Sequence, residues 1–249
     1  MTQAANHKGK IALVTGANRG IGLETAKQLG EQGITVLVAA RSLKSAEETA
    51  AQLKAQGVDA YPIQLDVTNS VDRVAAAKHI GEKFGKLDIL INNAGINAAT
   101  GFAPVNSQVT DEDLQRVFET NFFAVVALTR ELLPLIRKSE AGRIVNLSSI
   151  LGSLTLHADP NSPIADFKSI AYDASKSALN QYTIHLAYEL KDSKIKVNSA
   201  HPGWVKTDMG TNAAPMEIPD GAKTSVELAL LGPEGPTGRY IHLGQELPW

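Results

Sequence analysis

The chain has 249 residues, of which 24 are lysine or arginine and 26 are aspartate or glutamate, so its formal net charge is −2. No basic block stands out, and we therefore expect neither nucleic acid nor an anionic membrane as the main partner. The absence of cysteine excludes disulfides, thiolate catalysis and cysteine-ligated metals. The polar start and the lack of a membrane-length apolar run favour a cytoplasmic protein.

Short apolar runs alternate along the chain with longer amphipathic patterns. Nearly continuous apolar runs are typical of strands buried on both faces of a parallel sheet. They predict strands over Ile11–Thr15, Ile34–Ala39, Ala60–Leu65, Leu87–Ile91, Arg143–Leu147, Ile195–Ser199 and Arg239–Leu243. The amphipathic patterns predict helices over Ile21–Gln32, Ser42–Gln56, Ser70–Phe84, Asp111–Lys138 and Ala174–Lys191.

This alternation of strands and helices indicates the α/β class. We predict a single domain over residues 8–249, with a flexible N-terminus at residues 1–7. The expected architecture is a Rossmann-like, doubly wound fold whose parallel sheet has about seven strands. The helix Asp111–Lys138, preceded by a capping box of Thr110 and Asp113, is apolar on nearly every face. We expect the sheet on one side of it, and on the other either a partner subunit or this chain's own loops.

A glycine-rich turn, Gly16 to Gly22, lies between the first predicted strand and the first predicted helix. Glycines let the backbone approach a pyrophosphate, and a helix N-terminus attracts its charge. The spacing Gly-x-x-x-Gly-x-Gly differs from the usual dinucleotide fingerprint, and glycine-rich turns also serve simply as turns. Its position in the chain predicts nucleotide binding by Gly16, Asn18, Arg19, Gly20, Ile21 and Gly22.

The end of the second predicted strand indicates which dinucleotide is bound. An acidic residue here would bond the adenosine ribose of NAD, but the sequence has Ala40 followed by Arg41. An arginine suits a 2′-phosphate, and Arg19 in the glycine turn could bind the same group. The alternative is that both arginines are solvated surface residues. We predict NADP(H) as the cofactor.

The other predicted strands also end in small or polar residues, and ligands of open parallel sheets bind outside the carboxyl ends of the strands. These residues are Asp66 and Val67 after the third strand, Asn93, Ala94 and Gly95 after the fourth, Ser148 and Ser149 after the fifth, and His201, Pro202 and Gly203 after the sixth. Together they predict one continuous ligand cleft.

Tyr172 and Lys176 have the i, i+4 spacing that places two side chains on one face of a helix. A nearby cation favours the phenolate and lowers the pKa of a tyrosine, which suits it to general acid–base catalysis. The same spacing also occurs on ordinary surface helices, so this pair alone is weak evidence for an active site.

Taken in order, these features resemble the short-chain dehydrogenase/reductase family over about residues 8–243. They are Thr15-Gly16-x-x-x-Gly20-x-Gly22, Asn92-Asn93-Ala94-Gly95, a serine after the fifth strand, Tyr172-x-x-x-Lys176 and Pro202-Gly203. The segment Gly235 to Trp249 looks like the carbonyl-reductase-like branch, and Arg41 resembles the NADP-dependent members.

The resemblance implies a role for each matching residue. Tyr172 would donate a proton to the substrate oxygen, and Ser149, rather than Ser148, would hold that oxygen. Lys176 would lower the pKa of Tyr172 and bond the nicotinamide ribose, and Asn121 would hold a water in the proton relay. Further cofactor contacts would come from Asp66, Val67, Asn93, Ala94, Gly95, Pro202, Gly203, Val205 and Thr207.

The implied activity is the reversible, NADPH-dependent reduction of a ketone or aldehyde to an alcohol. The chemistry needs no metal, and we interpret the six histidines as structural because they lack ligand spacing. A nucleotide-sugar epimerase or dehydratase on the same fold and a non-catalytic NADP-sensing module are the alternatives. The side chains expected to line an apolar substrate pocket are Leu151, Leu154, Ile170, Trp204 and Met209.

One segment departs from the family pattern. Between Ser149 and Tyr172 this chain is longer than is common in the family, and the extra residues lie near Thr155 to Ser169. They resemble, in shorter form, the insertion of monomeric carbonyl reductases. We therefore predict a stiff lid over the substrate side of the cleft and a monomer or homodimer rather than the family's usual tetramer.

Overall fold

The computed structural model describes residues 7–98 and 106–249, so the N-terminus expected to be flexible lies almost entirely outside the described residues. The strands are β1 (Ile11–Thr15), β2 (Thr35–Ala40), β3 (Ala60–Gln64), β4 (Ile89–Asn92), β5 (Arg143–Leu147), β6 (Lys196–Ala200), β7 (Tyr240–His242) and β8 (Gln245–Glu246). The helices are α1 (Gly20–Glu31), α2 (Leu43–Ala55), α3 (Ser70–Phe84), α4 (Asp111–Phe118), α5 (Ala124–Ile136), α6 (Leu154–Ala158), α7 (Ile170–Glu189) and α8 (Ile218–Ala229).

The strands form one sheet in the order β3-β2-β1-β4-β5-β6-β7-β8, in which every neighbouring pair is parallel except β7 and β8. The order reverses between β1 and β4, where crevices for ligands form in doubly wound sheets. This confirms the predicted Rossmann-like fold. The antiparallel β8 was not predicted; it is a short strand after a tight turn in which Leu243 and Gly244 have positive φ.

Residues of each strand alternate between two apolar layers. In β1, Leu13 packs into the layer formed with α3, α5 and α7, whereas Ala12 and Val14 pack into the layer formed with α1, α2 and α8. Because both faces of the sheet are covered, most residues of the central strands are apolar. No helix in the described part of the chain is both long and apolar enough to cross a membrane.

The predicted helix Asp111–Lys138 is interrupted in the structure. A π-helical turn, Glu119–Phe123, separates α4 from α5, and it carries the buried Asn121. Such turns insert one extra residue per turn and often occur at functional sites. The predicted cap is present, because the Thr110 hydroxyl accepts a hydrogen bond of 3.1 Å from the Asp113 N–H. Phe123 is half exposed, and its burial by a partner subunit stays a prediction.

Three helices differ from the prediction in ways that concern the site. α7 begins at Ile170, four residues earlier than predicted, so that Tyr172 and Lys176 both lie within it. α6 was not predicted, and it lies partly within the segment expected to form a lid. α8 was not predicted either, although Pro219 in its first turn is a common helix start. The other boundaries agree to within about two residues.

Candidate active site

Tyr172 and Lys176 lie one turn apart on α7, as their spacing predicted. Both are buried, with 8% and 4% of their surface exposed, and the Lys176 Nζ lies 5.6 Å from the centre of the Tyr172 ring. The same Nζ donates a hydrogen bond of 2.7 Å to the carbonyl oxygen of Leu147, the last residue of β5. The helix therefore presents a phenol and an ammonium at the carboxyl end of the central strands.

Ser149 meets this pair from the turn that follows β5. Its hydroxyl shares a hydrogen bond with the Tyr172 hydroxyl and accepts another, of 3.3 Å, from the N–H of Leu151. The neighbouring Ser148 is buried, at 2% exposure, and its N–H donates to the carbonyl oxygen of Ala200 in β6. Of the two serines, Ser149 is therefore the one that contacts the tyrosine hydroxyl.

Asn121, in the π-helical turn, forms hydrogen bonds with the loop after β4 and with α7. Its side-chain nitrogen donates to the carbonyl oxygen of Ile96 at 2.9 Å and to the hydroxyl of Ser175 at 3.0 Å, and its side-chain oxygen accepts from the Ile96 N–H at 2.9 Å. The amide thus connects the loop after β4 to α7 at Ser175, one residue before Lys176. Its predicted role in a proton relay stays a prediction.

The expected effect of Lys176 on Tyr172 needs correction. Burial raises the pKa of Tyr172 to about 12; the hydrogen bond from Ser149 opposes this rise and the Asp173 carboxylate adds to it. Burial also lowers the pKa of Lys176 to about 8. The sequence analysis considered only the attraction between the two groups, whereas in the folded protein the loss of hydration dominates for both. Tyr172 is consequently held in its protonated form at neutral pH.

The glycine turn after β1 is hydrogen-bonded to the loop after β4. The Asn93 side-chain nitrogen donates to the carbonyl oxygens of Thr15, at 2.7 Å, and Gly16, at 3.2 Å. Gly16 and Gly20 have positive φ, and a Cβ on Gly22 would collide with the Asn93 side-chain nitrogen and the Gly16 carbonyl oxygen. Only glycine is compatible with the packing at Gly22. The close approach of the backbone leaves N–H groups at the start of α1 open to a ligand, as binding of a pyrophosphate requires.

The two arginines at the outer end of the cleft have different surroundings. Arg41 follows β2 directly and is exposed, whereas the preceding Ala40 is buried, at 3% exposure. Arg19 is also exposed, but its Nη1 forms an ion pair of 2.6 Å with the Asp208 carboxylate. Ion pairs between exposed side chains contribute about 0–1 kcal/mol, so this one restrains Arg19 only weakly.

The remaining cofactor candidates follow neighbouring strands. Asp66, beyond the end of β3, accepts hydrogen bonds from the N–H and hydroxyl of Thr68 at 3.0 and 2.7 Å. The loop after β6 runs through Pro202, Gly203, Val205 and Thr207, and Thr207 lies against the glycine turn at Gly20. All predicted site residues thus lie along one edge of the sheet. Within residues 7–98 and 106–249, no three acidic or histidine side chains are grouped so that they could hold a metal ion.

The family model of short chain dehydrogenases matches residues 10–218 of this chain. The chain is a member of the short-chain dehydrogenase/reductase family. A short-chain dehydrogenase of Penicillium roqueforti is 38% identical over 228 residues, which cover 89% of each chain. The NADPH-bound carbonyl reductase from chicken fatty liver superposes with a TM-score of 0.84 at 29% identity, covering 97% of this chain and 100% of that one. A short-chain dehydrogenase of Burkholderia cenocepacia in complex with NADP gives 0.79 at 30% identity, covering 95% and 97%.

In this short-chain dehydrogenase, two histidines that the sequence analysis interpreted as structural contact the turn after Ser149. The Nδ1 of His201 accepts a hydrogen bond of 3.1 Å from the Ile150 N–H, and the Nε2 of His157 lies 2.9 Å from the carbonyl oxygen of Leu151. Burial lowers the pKa of His201 to about 3, with His242 adding to the effect, so its ring is neutral. The position of His157 between the serine and the tyrosine was the available sequence signal.

Asp173, next to Tyr172, provides a test of the electrostatics of this dehydrogenase. Burial raises its pKa to about 7 from an ordinary 3.8, although the Ser169 N–H and the Lys168 charge oppose the rise. In the unfolded chain the Asp173 carboxyl group loses its proton above about pH 4. In the folded protein it keeps that proton until about pH 7. The stability that Asp173 contributes is therefore complete below about pH 4 and is lost as the pH rises to 7.

We expect Asp173→Asn to raise the free energy of unfolding, relative to the unmodified protein, more at pH 8 than at pH 4. The difference should be on the order of 1 kcal/mol for each unit by which the two pKa values differ. Urea denaturation at both pH values measures it, with Asp192→Asn as the control because Asp192 is exposed. An equal effect of Asp173→Asn at both pH values would contradict the raised pKa.

Proposed function

We propose that this short-chain dehydrogenase reduces a ketone or aldehyde to an alcohol with NADPH. The observation that carries the proposal is the convergence of three buried groups: the Tyr172 hydroxyl, hydrogen-bonded to Ser149, and the Lys176 ammonium 5.6 Å from the Tyr172 ring. Two hydroxyl donors and a nearby cation can stabilise the carbonyl oxygen of a substrate, which gains negative charge during reduction.

The cradle formed by the glycine turn and Asn93 fits a dinucleotide. The turn and the start of α1 would hold the pyrophosphate, and Arg41 would bind a 2′-phosphate. Two similar structures, the carbonyl reductase from chicken fatty liver and the Burkholderia cenocepacia enzyme, contain NADPH or NADP. When bound, the cofactor supplies the hydride. The predicted contacts of Asp66, Val67, Pro202, Gly203, Val205 and Thr207 belong to this proposal.

The protein's own groups would provide position and a proton. Ser149 and Tyr172 would both donate hydrogen bonds to the substrate oxygen, and Tyr172 would then transfer its proton to it. Tyr172 is protonated at neutral pH, as a tyrosine of ordinary pKa also is, and this is the form that reduction requires; the rise of its pKa to about 12 on burial makes the nearby cation more important for releasing the proton. The Lys176 ammonium would stabilise the phenolate left behind, and Asn121 would help to supply the next proton.

Four of the five side chains predicted to line the substrate pocket are exposed, which favours a substrate with an apolar body beside its carbonyl group. Leu154, Ile170, Trp204 and Met209 are between 37% and 69% exposed, although large apolar residues are mostly buried in this chain. They come from different segments, on α6, α7 and the loop after β6. Such residues at the mouth of a cleft commonly bind a ligand.

The test is to incubate the purified protein with NADPH and a panel of aldehydes and ketones that vary in apolar bulk, following the loss of NADPH absorbance. We expect turnover, faster for apolar carbonyls than for small polar ones. If NADPH binds, as measured by its fluorescence, but no carbonyl in the panel is reduced, the reductase proposal fails and a non-catalytic NADP-binding role is favoured. Assembly as a monomer or homodimer and a cytoplasmic location stay predictions.

A further inference from the structure

The segment between Ser149 and Tyr172 contains a histidine that contacts both catalytic elements. His157, on α6, places its Nε2 2.9 Å from the carbonyl oxygen of Leu151 and 3.4 Å from the Asp173 carboxylate. Its Nδ1 lies 3.0 Å from the Nζ of Lys168. The His157 side chain is 15% exposed and that of Asp173 is 10% exposed, so these contacts are largely shielded from water.

The partners of His157 determine its tautomer. A lysine ammonium can only donate hydrogen bonds, so the Nδ1 facing Lys168 must be the acceptor. The ring hydrogen therefore lies on Nε2, where the Leu151 carbonyl oxygen and the Asp173 carboxylate are both acceptors. Burial lowers the pKa of His157; the hydrogen bond to the Leu151 carbonyl oxygen opposes this fall, and the charge of Lys168 adds to it. A neutral ring with its hydrogen on Nε2 can accept from Lys168 and donate to the Leu151 carbonyl oxygen, with the Asp173 carboxylate close beside that hydrogen.

The two residues that the His157 Nε2 contacts each lie next to a proposed catalytic residue: Leu151 is near Ser149, and Asp173 follows Tyr172. Leu151 is held from two sides, because its N–H donates to the Ser149 hydroxyl at 3.3 Å and its carbonyl oxygen faces His157. Asp173 directly follows Tyr172 in α7, and its carboxylate also accepts a hydrogen bond of 2.7 Å from the Ser169 N–H at the start of that helix. His157 thus links the turn that carries Ser149 to the helix turn that carries Tyr172.

We propose that His157 is a positioning residue that sets the distance between the Ser149 and Tyr172 hydroxyls. The proposal rests on the proposed reductase function, because that function requires both hydroxyls to reach one substrate oxygen. Hydroxyl donors act on a developing charge only within a narrow range of distances, and a shift of about 1 Å can cost on the order of 10²-fold in rate. His157 does not contact the reacting atoms, so its effect is indirect.

Two near-isosteric variants separate this role from a general contribution to stability. In His157→Gln the side-chain nitrogen reaches the place of Nε2 and can still donate to the Leu151 carbonyl oxygen. In His157→Asn the side-chain oxygen reaches only the place of Nδ1, so the Lys168 contact remains and the Leu151 contact is lost. His185→Ala, an exposed histidine on the outer face of α7, is the control.

For a carbonyl that the unmodified protein reduces, we expect His157→Asn to lower kcat by about 10- to 100-fold. KM for NADPH and the Tm should change little, and His157→Gln and His185→Ala should retain most of the activity. Equal kcat in the Asn variant and the unmodified protein, or equal losses in the Asn and Gln variants, would overturn the proposal.

Crystal structures of the two variants provide a readout that does not depend on turnover. We expect the distance between the Ser149 and Tyr172 hydroxyl oxygens to be preserved in His157→Gln and to increase in His157→Asn. An unchanged distance in both variants would reject the positioning role even if the reductase function holds. If no carbonyl is reduced by any form of the protein, the reductase function fails, while this distance still decides what His157 does.

Discussion

Tyr172→Phe is expected to lower kcat for carbonyl reduction by roughly 10²–10⁴-fold, the usual contribution of a general acid. Phenylalanine retains the ring that is buried in α7 but removes both the transferable proton and the hydrogen bond to Ser149. NADPH binding should persist, since the glycine turn and Arg41 are distant in sequence and lie on other elements. Stopped-flow turnover and NADPH fluorescence titration measure the two effects separately.

Tyr188→Phe is the matched control for this variant, because Tyr188 lies on the same helix but is 69% exposed. It should have the kcat of the unmodified protein. A Tyr172→Phe protein that reduced a good substrate at a near-normal rate would show that another group donates the proton. Loss of NADPH binding together with activity would instead indicate damage to the fold of the site.

The combination Ala40→Asp with Arg41→Ala is expected to reverse a preference for NADPH over NADH. The two cofactors differ only in the 2′-phosphate, and Arg41 is an exposed, permanently charged donor at the end of β2 where that group would lie. A hydrogen bond to a charged group contributes about 1.5–3 kcal/mol, and each tenfold in affinity corresponds to about 1.4 kcal/mol. Arg41 alone should therefore provide roughly ten- to a hundredfold preference.

The measurement is the ratio of kcat/KM for NADPH to that for NADH. Arg41→Ala alone should lower kcat/KM for NADPH and leave kcat/KM for NADH unchanged. The added carboxylate of Ala40→Asp should lower the ratio further by repelling the phosphate. Arg19→Ala should have a slightly smaller effect than Arg41→Ala, because binding the phosphate would first cost Arg19 its exposed ion pair with Asp208, which is worth about 0–1 kcal/mol. Arg130→Ala, an exposed arginine on α5, is the control. A ratio that does not fall in the double variant would reject the role of Arg41.

Short-range rules were sufficient for much of the fold and for the candidate site. Gly16, Gly20 and Gly22 lie where a turn before a helix N-terminus predicted them, and Tyr172 and Lys176 share one face of α7 as their spacing required. The strands were predictable because a sheet covered on both faces needs apolar residues on both faces. These features depend on residues that are neighbours in sequence or on a simple periodicity.

Other features depend on what the fold brings together. The pKa of Tyr172 is raised rather than lowered because burial outweighs the nearby charge, and burial is not a property of the Tyr-x-x-x-Lys spacing. Asn121 is turned toward Ile96 and Ser175 by a π-helical turn that the apolar pattern of Asp111–Lys138 does not reveal. Because this segment is apolar on nearly every face, the shift caused by one added residue leaves no visible break in its pattern.

The sequence by itself determined the α/β class, the strand–helix order and the identity of the residues at the carboxyl ends of the strands, since these follow from local pattern and connection rules. Only the tertiary structure decided which groups are desolvated and which side chains meet across elements. His157 reaches Leu151 and Asp173 because the fold brings α6 beside the turn after β5 and the first turn of α7. Such contacts form only when separate elements are placed to within a few tenths of an ångström of the right distance. The spacing of residues along the chain does not encode that placement.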